Sequence, residues 1–189
     1  MKTIRTFLAI ALPREIASAA ARRISKCKQA GDAIKWVPAE NLHLTLKFLG
    51  EVDNTDVPRV CDCLQRICEG FDPFPLHIGG NSGLPSIDRA RVLCVTVEDP
   101  ESQLIAMVGQ IERAFAELGF KPEARDYQPH LTLGRTRGGS RRASDEVIER
   151  WREHEDETIG DMIARRVEVV GSFLEKRGPS YQIMHTVDL

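Results

Sequence analysis

The sequence predicts an α+β protein of two similar lobes, each with one sheet and with helices outside; a layered α/β arrangement satisfies the same pattern. Three observations lead there. The tetrapeptide His-Leu-Thr-Leu occurs at 43–46 and again at 130–133, a repeat that a chain this short seldom carries unless two similar halves present it. Segments of strand and helix spacing follow the order strand, helix, His-Leu-Thr-Leu strand, helix, strand, and that order starts again near Arg91. The clearest helix, over 101–118, has Leu104, Val108, Ile111, Phe115 and Leu118 at steps of three and four. With 189 residues, one compact domain over 1–189 is expected.

In chain order, Ile4 to Leu12 reads as the first strand, with Arg5 interrupting its apolar run. Pro13 suits the first turn of a helix reaching about Cys27, whose Ile16, Ala20, Ile24 and Cys27 share a face. Leu42 to Leu49 is the first repeat strand, and Gly50 is expected to break it. Pro58 opens a helix carrying Val60, Leu64, Ile67 and Cys68. Phe74, Leu76 and Ile78 alternate as a strand, after which GGNSGLPS reads as a flexible connection. Arg91 to Val97, apolar on both faces, suits an interior strand. Pro129 favours extended backbone just before the second repeat strand. The basic run RTRGGSRR, 135–142, reads as a loop, and 144–152 as a short helix. Ile163 to Phe173 and Tyr181 to Val187 supply the last strands, joined through KRGPS at 176–180.

Composition excludes several classes. A hydrophobic fraction of 42%, a charged fraction of 29% and a net charge of -2 suit a globular protein without a long electrostatic track for nucleic acid. No 18-residue apolar run exists, and the N-terminal segment carries Arg, Pro and Glu where a signal peptide needs an unbroken apolar core. Five cysteines, at 27, 61, 63, 68 and 94, form no disulfide framework. Cys61, Cys63 and Cys68 fall on the helix after Pro58, where buried free thiols are expected. A cytoplasmic protein is the expectation.

Within each repeat, alternation puts His and Thr on one strand face and the leucines on the other. A hydroxyl two residues from an imidazole can hold an oxygen of the group on which the imidazole works. Two facing units would surround one small anion with His43, Thr45, His130 and Thr132. Half-buried structural histidines are the bland alternative. A metal site is another, but no Asp, Glu or Cys at ligand spacing completes either motif. Lys47 has cleft parity, or points to solvent at the cleft edge. Trp36, Tyr127 and Tyr181 are either base platforms or packing residues. Arg137, Arg141 and Arg142 are either an RNA grip or solvated surface. His77, His154 and His185 lack the Thr and are left out of catalysis.

The segments RTFLAIALP, WVPAENLHLTLKFLG, YQPHLTLGR and VVGSFLEKRGPSYQIM together resemble the 2H phosphoesterase superfamily, and within it the RNA 2',3'-cyclic phosphodiesterases, also called 2'-5' RNA ligase-like proteins. The resemblance implies a bilobal, pseudo-twofold fold in which two antiparallel sheets line a central cleft. It implies metal-independent hydrolysis of an RNA or nucleotide 2',3'-cyclic phosphate to a 2'-phosphate, without cofactor, by a protein expected to be a monomer. On the same basis His43 is the general acid and His130 the general base, an assignment that can be reversed, and Thr45 and Thr132 bind phosphate oxygens. Arg135 is implied as a further phosphate ligand. Strict alternation puts it on the opposite face, so it reaches the cleft only if the strand bends, bulges or ends near Gly134; otherwise it is a surface or structural ion pair. Leu84 departs from the aromatic residue that relatives carry before the proline of the 81–85 segment. Reversible 2'-5' RNA ligation and RNA binding without turnover are the competing functions.

Overall fold

A computed structural model describes residues 2–138, 142–175 and 178–189. Strand β1 is Thr3–Ala11, followed by helix α1 at Arg14–Cys27, the short strand β2 at Ile34–Trp36 and a 3₁₀ turn at Ala39–Asn41. Strand β3, His43–Asp53, leads to α2 at Val57–Cys68 and β4 at Phe74–Leu84. Then come β5 at Val92–Glu98, α3 at Gln103–Glu117, β6 at His130–Thr136 and α4 at Asp145–Arg152. Strands β7, β8 and β9, at Gly160–Ala164, Arg166–Glu175 and Gly178–Asp188, complete the order.

The strands form two antiparallel sheets, one ordered β3-β1-β8-β9 and the other β2-β6-β5-β4-β7. Their outer faces are apolar and packed under helices, α2 and α3 behind the first sheet and α1 and α4 behind the second. One continuous core results, with Leu8, Ile10, Leu44, Leu64, Ile111, Leu131 and Trp151 all buried in it. Each such side chain contributes about 1.5–3 kcal/mol by leaving water.

Several sequence expectations change. The sheets are not one per half: β4, from the first half, sits beside β5 of the second, whereas β8 and β9, from the second, extend β1 of the first. Periodicity identifies a strand but not the edge it pairs with. The run expected from Ile163 to Phe173 breaks at Arg165 into β7 and β8, which belong to different sheets. Residues 79–84 of GGNSGLPS belong to β4 and are not a flexible connection, and Pro85 and Ser86 follow the strand. Its glycines serve close approach: a Cβ at Gly80 would meet the Glu155 carbonyl oxygen at 1.7 Å. Beyond it, buried Asn81 accepts from Arg23 Nη1 at 2.6 Å and donates to the Trp151 carbonyl at 2.8 Å, tying β4 to α1 and α4. Nor does Gly50 end its strand. It lies in β3 with φ +75° beside a bulge, a conformation that glycine adopts without strain. Arg135 and Thr136 belong to β6, so the basic run begins as strand. Its residues 139–141, with Lys176 and Arg177 of the KRGPS segment, lie outside the described residues.

Candidate active site

Both repeat strands begin at their histidine and carry a bulge at the same place. On β3, Thr45 faces Ala9 and Lys47 faces Leu8, leaving Leu46 unpaired; on β6, Thr132 faces Cys94 and Gly134 faces Leu93, leaving Leu133 unpaired. An extra residue resets the alternation that follows it. The pair after each threonine, Leu46-Lys47 and Leu133-Gly134, is therefore buried. The fifth residue after each histidine, Phe48 or Arg135, turns to the exposed face that carries His and Thr. Arg135 reaches the cleft because β6 bulges, one of the conditions stated from the sequence.

Lys47 is turned the other way by its bulge. Its ammonium is buried and donates to both Glu112 carboxylate oxygens at 2.8 Å and to the Lys121 carbonyl at 3.1 Å. It pins β3 to α3 and has no place at the cleft edge. On β6 the equivalent position is Gly134, where a Cβ would come within 2.8 Å of Ile34 and 2.9 Å of the Trp36 ring. The bare backbone there lets β2 pair closely with β6.

The histidines are held alike. His43 Nδ1 lies 2.7 Å from the Asn41 carbonyl oxygen, and His130 Nδ1 lies 2.7 Å from that of Gln128. A carbonyl only accepts, so each Nδ1 carries a proton and each Nε2 is left for the cleft. Their surroundings differ. His43 stacks on Phe7 with centroids 4.7 Å apart and meets Tyr181 edge-on at 5.3 Å. Burial pushes its pKa down, the Arg135 charge pushes the same way, and the Asn41 carbonyl partly opposes them.

The two repeat strands, β3 and β6, meet across the sheets. Arg135, on one sheet, acts on His43 and Tyr181 of the other. Tyr127, just before β6, donates its hydroxyl to the Thr45 carbonyl at 2.9 Å, fastening one motif to the other. The Arg135 guanidinium has no hydrogen bond or ion pair with a described residue. His43, Thr45, His130, Thr132 and Arg135 thus lie on the open faces of two strands in contact.

The remaining sequence candidates take other places. Tyr127 is a clamp between the motifs, and Trp36 packs against Trp151 at 5.8 Å. Tyr181 alone of the three aromatic candidates touches a site histidine. Arg137 donates to the Ile34 carbonyl, Arg142 pairs with Asp145, and Arg141 is outside the described residues. His154 pairs with Glu157, and His77 with Asp161. All five cysteines are free, and burial pushes the Cys68 and Cys94 thiols up to about 12. Among the described residues no three His, Cys, Asp or Glu side chains group as a metal site.

Sequence reasoning missed Phe7, Phe48 and Asn41. Phe48 and Arg135 share the same offset from their histidines, which is a legible signal. Asn41 holds His43 by its carbonyl and the Pro179 carbonyl by its side chain at 3.1 Å, thereby tying down the hairpin that brings Tyr181 to His43; nothing in the pattern marks it.

Comparison with known proteins agrees with this geometry. The family described as LigT like Phosphoesterase matches twice, over residues 10–94 and 95–181. An RNA 2',3'-cyclic phosphodiesterase from Methanothermobacter thermautotrophicus is 33% identical over 186 residues, covering 98% of this chain and 99% of the relative. Among solved structures, a Thermus thermophilus protein superposes with TM-score 0.81 at 23% identity, covering 98% of both chains. Escherichia coli LigT in complex with 3'-AMP superposes with TM-score 0.79 at 23% identity, covering 100% of this chain and 99% of that one.

Proposed function

Because the chain belongs to the LigT-like phosphoesterase family, we propose that it is an RNA 2',3'-cyclic phosphodiesterase, opening the cyclic phosphate of an RNA or nucleotide to a 2'-phosphate. The observation that carries the reading is the pair of Nδ1-anchored imidazoles in one cleft, beside a guanidinium with no partner among the described residues. Binding alone has little use for two proton-transfer groups.

Hydrolysis needs a proton taken from water and another given to the departing 3'-oxygen. In the proposed mechanism His130 Nε2 accepts the proton of water as its oxygen attacks phosphorus. His43, protonated at Nε2, gives its proton to O3' as the P–O3' bond breaks. The product carries a 2'-phosphate and a free 3'-hydroxyl. Thr45 and Thr132 donate to non-bridging oxygens, and Arg135 neutralises charge that grows in the transition state. Burial and Arg135 work against protonated His43 before substrate arrives. The phosphodiester anion offsets the Arg135 field and so loads the acid when it is needed. This course uses no metal ion and no cofactor.

The proposed setting is a monomer in the cytoplasm. Free cysteines suit a reducing compartment. Among the described residues, no helix is long and apolar enough to cross a membrane.

The deciding experiment incubates the protein in EDTA with RNA ending in a 2',3'-cyclic phosphate and identifies the terminal phosphate. A 2'-phosphate is expected. A 3'-phosphate product refutes the assigned bond cleavage, and activity lost to EDTA refutes the metal-free course. A parallel arm with 2'-5' linked RNA reads out ligase chemistry, and tight binding with no turnover reduces the protein to an RNA-binding module.

A further inference from the structure

A cavity of about 740 Å³ lies between the two sheets, lined by residues of both and by none of the five site residues. Ala11, at its edge, is the cross-strand partner of His43. Arg166, which also lines it, begins β8 immediately before Val167, the partner of Ile10 on the other side of β1. Two strand spacings, roughly 10 Å, thus separate the Arg166 backbone from that of His43. From the opposite sheet comes His77, whose partner Glu98 lies two residues beyond Thr96, the partner of His130. Alternation puts His77 on the face that carries His130. The cavity therefore prolongs the catalytic cleft.

Its lining has two parts. Pro13, Pro75, Pro100 and Ile163 present flat apolar surface. Ile163 is 40% exposed, a large apolar side chain left open to whatever enters. Arg165 and Arg166 supply positive charge, and neither guanidinium is hydrogen-bonded or ion-paired to a described residue. Arg166 also acts through its field on half-buried Glu168, the partner of Ala9. The His77–Asp161 pair, at 2.5 Å, adds a carboxylate that can accept from a base edge.

Apolar walls with unpaired arginines match a nucleotide, whose base has an apolar face and whose phosphate suits a guanidinium. The volume falls within the roughly 300–1,000 Å³ of small-ligand sites. Arg135 already serves the scissile phosphate, so these two arginines answer to a second one. An arginine side chain starting at Arg166 can reach a phosphate one nucleotide from that bound at His43.

We infer that this cavity is the subsite for the nucleotide preceding the cyclic-phosphate terminus, with its phosphate on Arg165 and Arg166 and its base against the proline and isoleucine wall. This rests on the hydrolase reading and narrows it: the preferred substrate is an oligonucleotide, not a mononucleoside cyclic phosphate. The test compares kcat/KM for a dinucleotide ending in a 2',3'-cyclic phosphate with that for a nucleoside 2',3'-cyclic phosphate, in the wild type and in an Arg165→Ala/Arg166→Ala variant. The wild type should prefer the dinucleotide by about tenfold or more, the effect of one charge-assisted phosphate contact. The variant should lose that preference through KM, while its activity on the mononucleoside substrate, which reports an intact fold and centre, stays unchanged. A preference that survives substitution, or equal losses on both substrates, overturns the subsite. Turnover of neither substrate by the wild type overturns the hydrolase reading and the subsite with it.

Discussion

His43 and His130 share one anchoring scheme but not one environment. Each donates Nδ1–H to the carbonyl two residues earlier, and His43 is pressed between Phe7 and Tyr181 with its protonation disfavoured by burial and by Arg135. Replacing either by Ala should lower turnover roughly 10²-fold or more with the circular dichroism spectrum unchanged; full activity in either variant removes that residue from the chemistry. The assignment of roles has its own experiment. Arg135 lowers the pKa of His43, so Arg135→Ala raises it. If His43 is the acid, it is active when protonated, and the high-pH limb of the kcat/KM profile moves to higher pH. Movement of the low-pH limb would identify it as the base instead. Coupling between the two imidazoles blurs the limbs but not the direction of the shift.

Two matched bulges decide what the repeat strands display, and here the sequence was only partly readable. Strict alternation carries His and Thr to the cleft but sends Arg135 away and Lys47 toward it; one unpaired leucine per strand reverses both. An unpaired residue leaves no trace in hydrophobic periodicity, because Leu46 and Leu133 look like any inward leucine. The helices, most strands and the two motifs were legible since each rests on a pattern within one segment, whereas the antiparallel pairing came only with the family resemblance. Which sheet received β4 was not, since that depends on partners far along the chain. If Lys47 is a pin between β3 and α3, Lys47→Met should destabilise by about 2–3 kcal/mol in urea unfolding. That is less than the 3–5 kcal/mol of breaking a fully buried pair, because the Glu112 side chain keeps 23% of its exposure. Turnover should survive, because the side chain lies on the face away from the site. A variant as stable as the wild type would make the contact incidental.

At the scale of the molecule, the halves are joined by exchanged strands and one shared core. We propose that residues 1–189 form a single domain of two similar lobes. Calorimetry and denaturant unfolding followed by two probes should then give one coincident transition; two separated transitions would mean independently stable lobes.

The exchange also fixes an order in time. Phe7 pairs with Val170, nearly the whole chain away. On the ribosome, β1 and β3 can pair early, but the far edge of β1 stays open until β8 has been made, and Tyr181 reaches His43 only with the last strand. Such long-range closure is slow and leaves an unpaired edge exposed in the meantime. A nascent chain therefore holds both histidine motifs well before it has a finished site, and activity should appear only once β9 has been made.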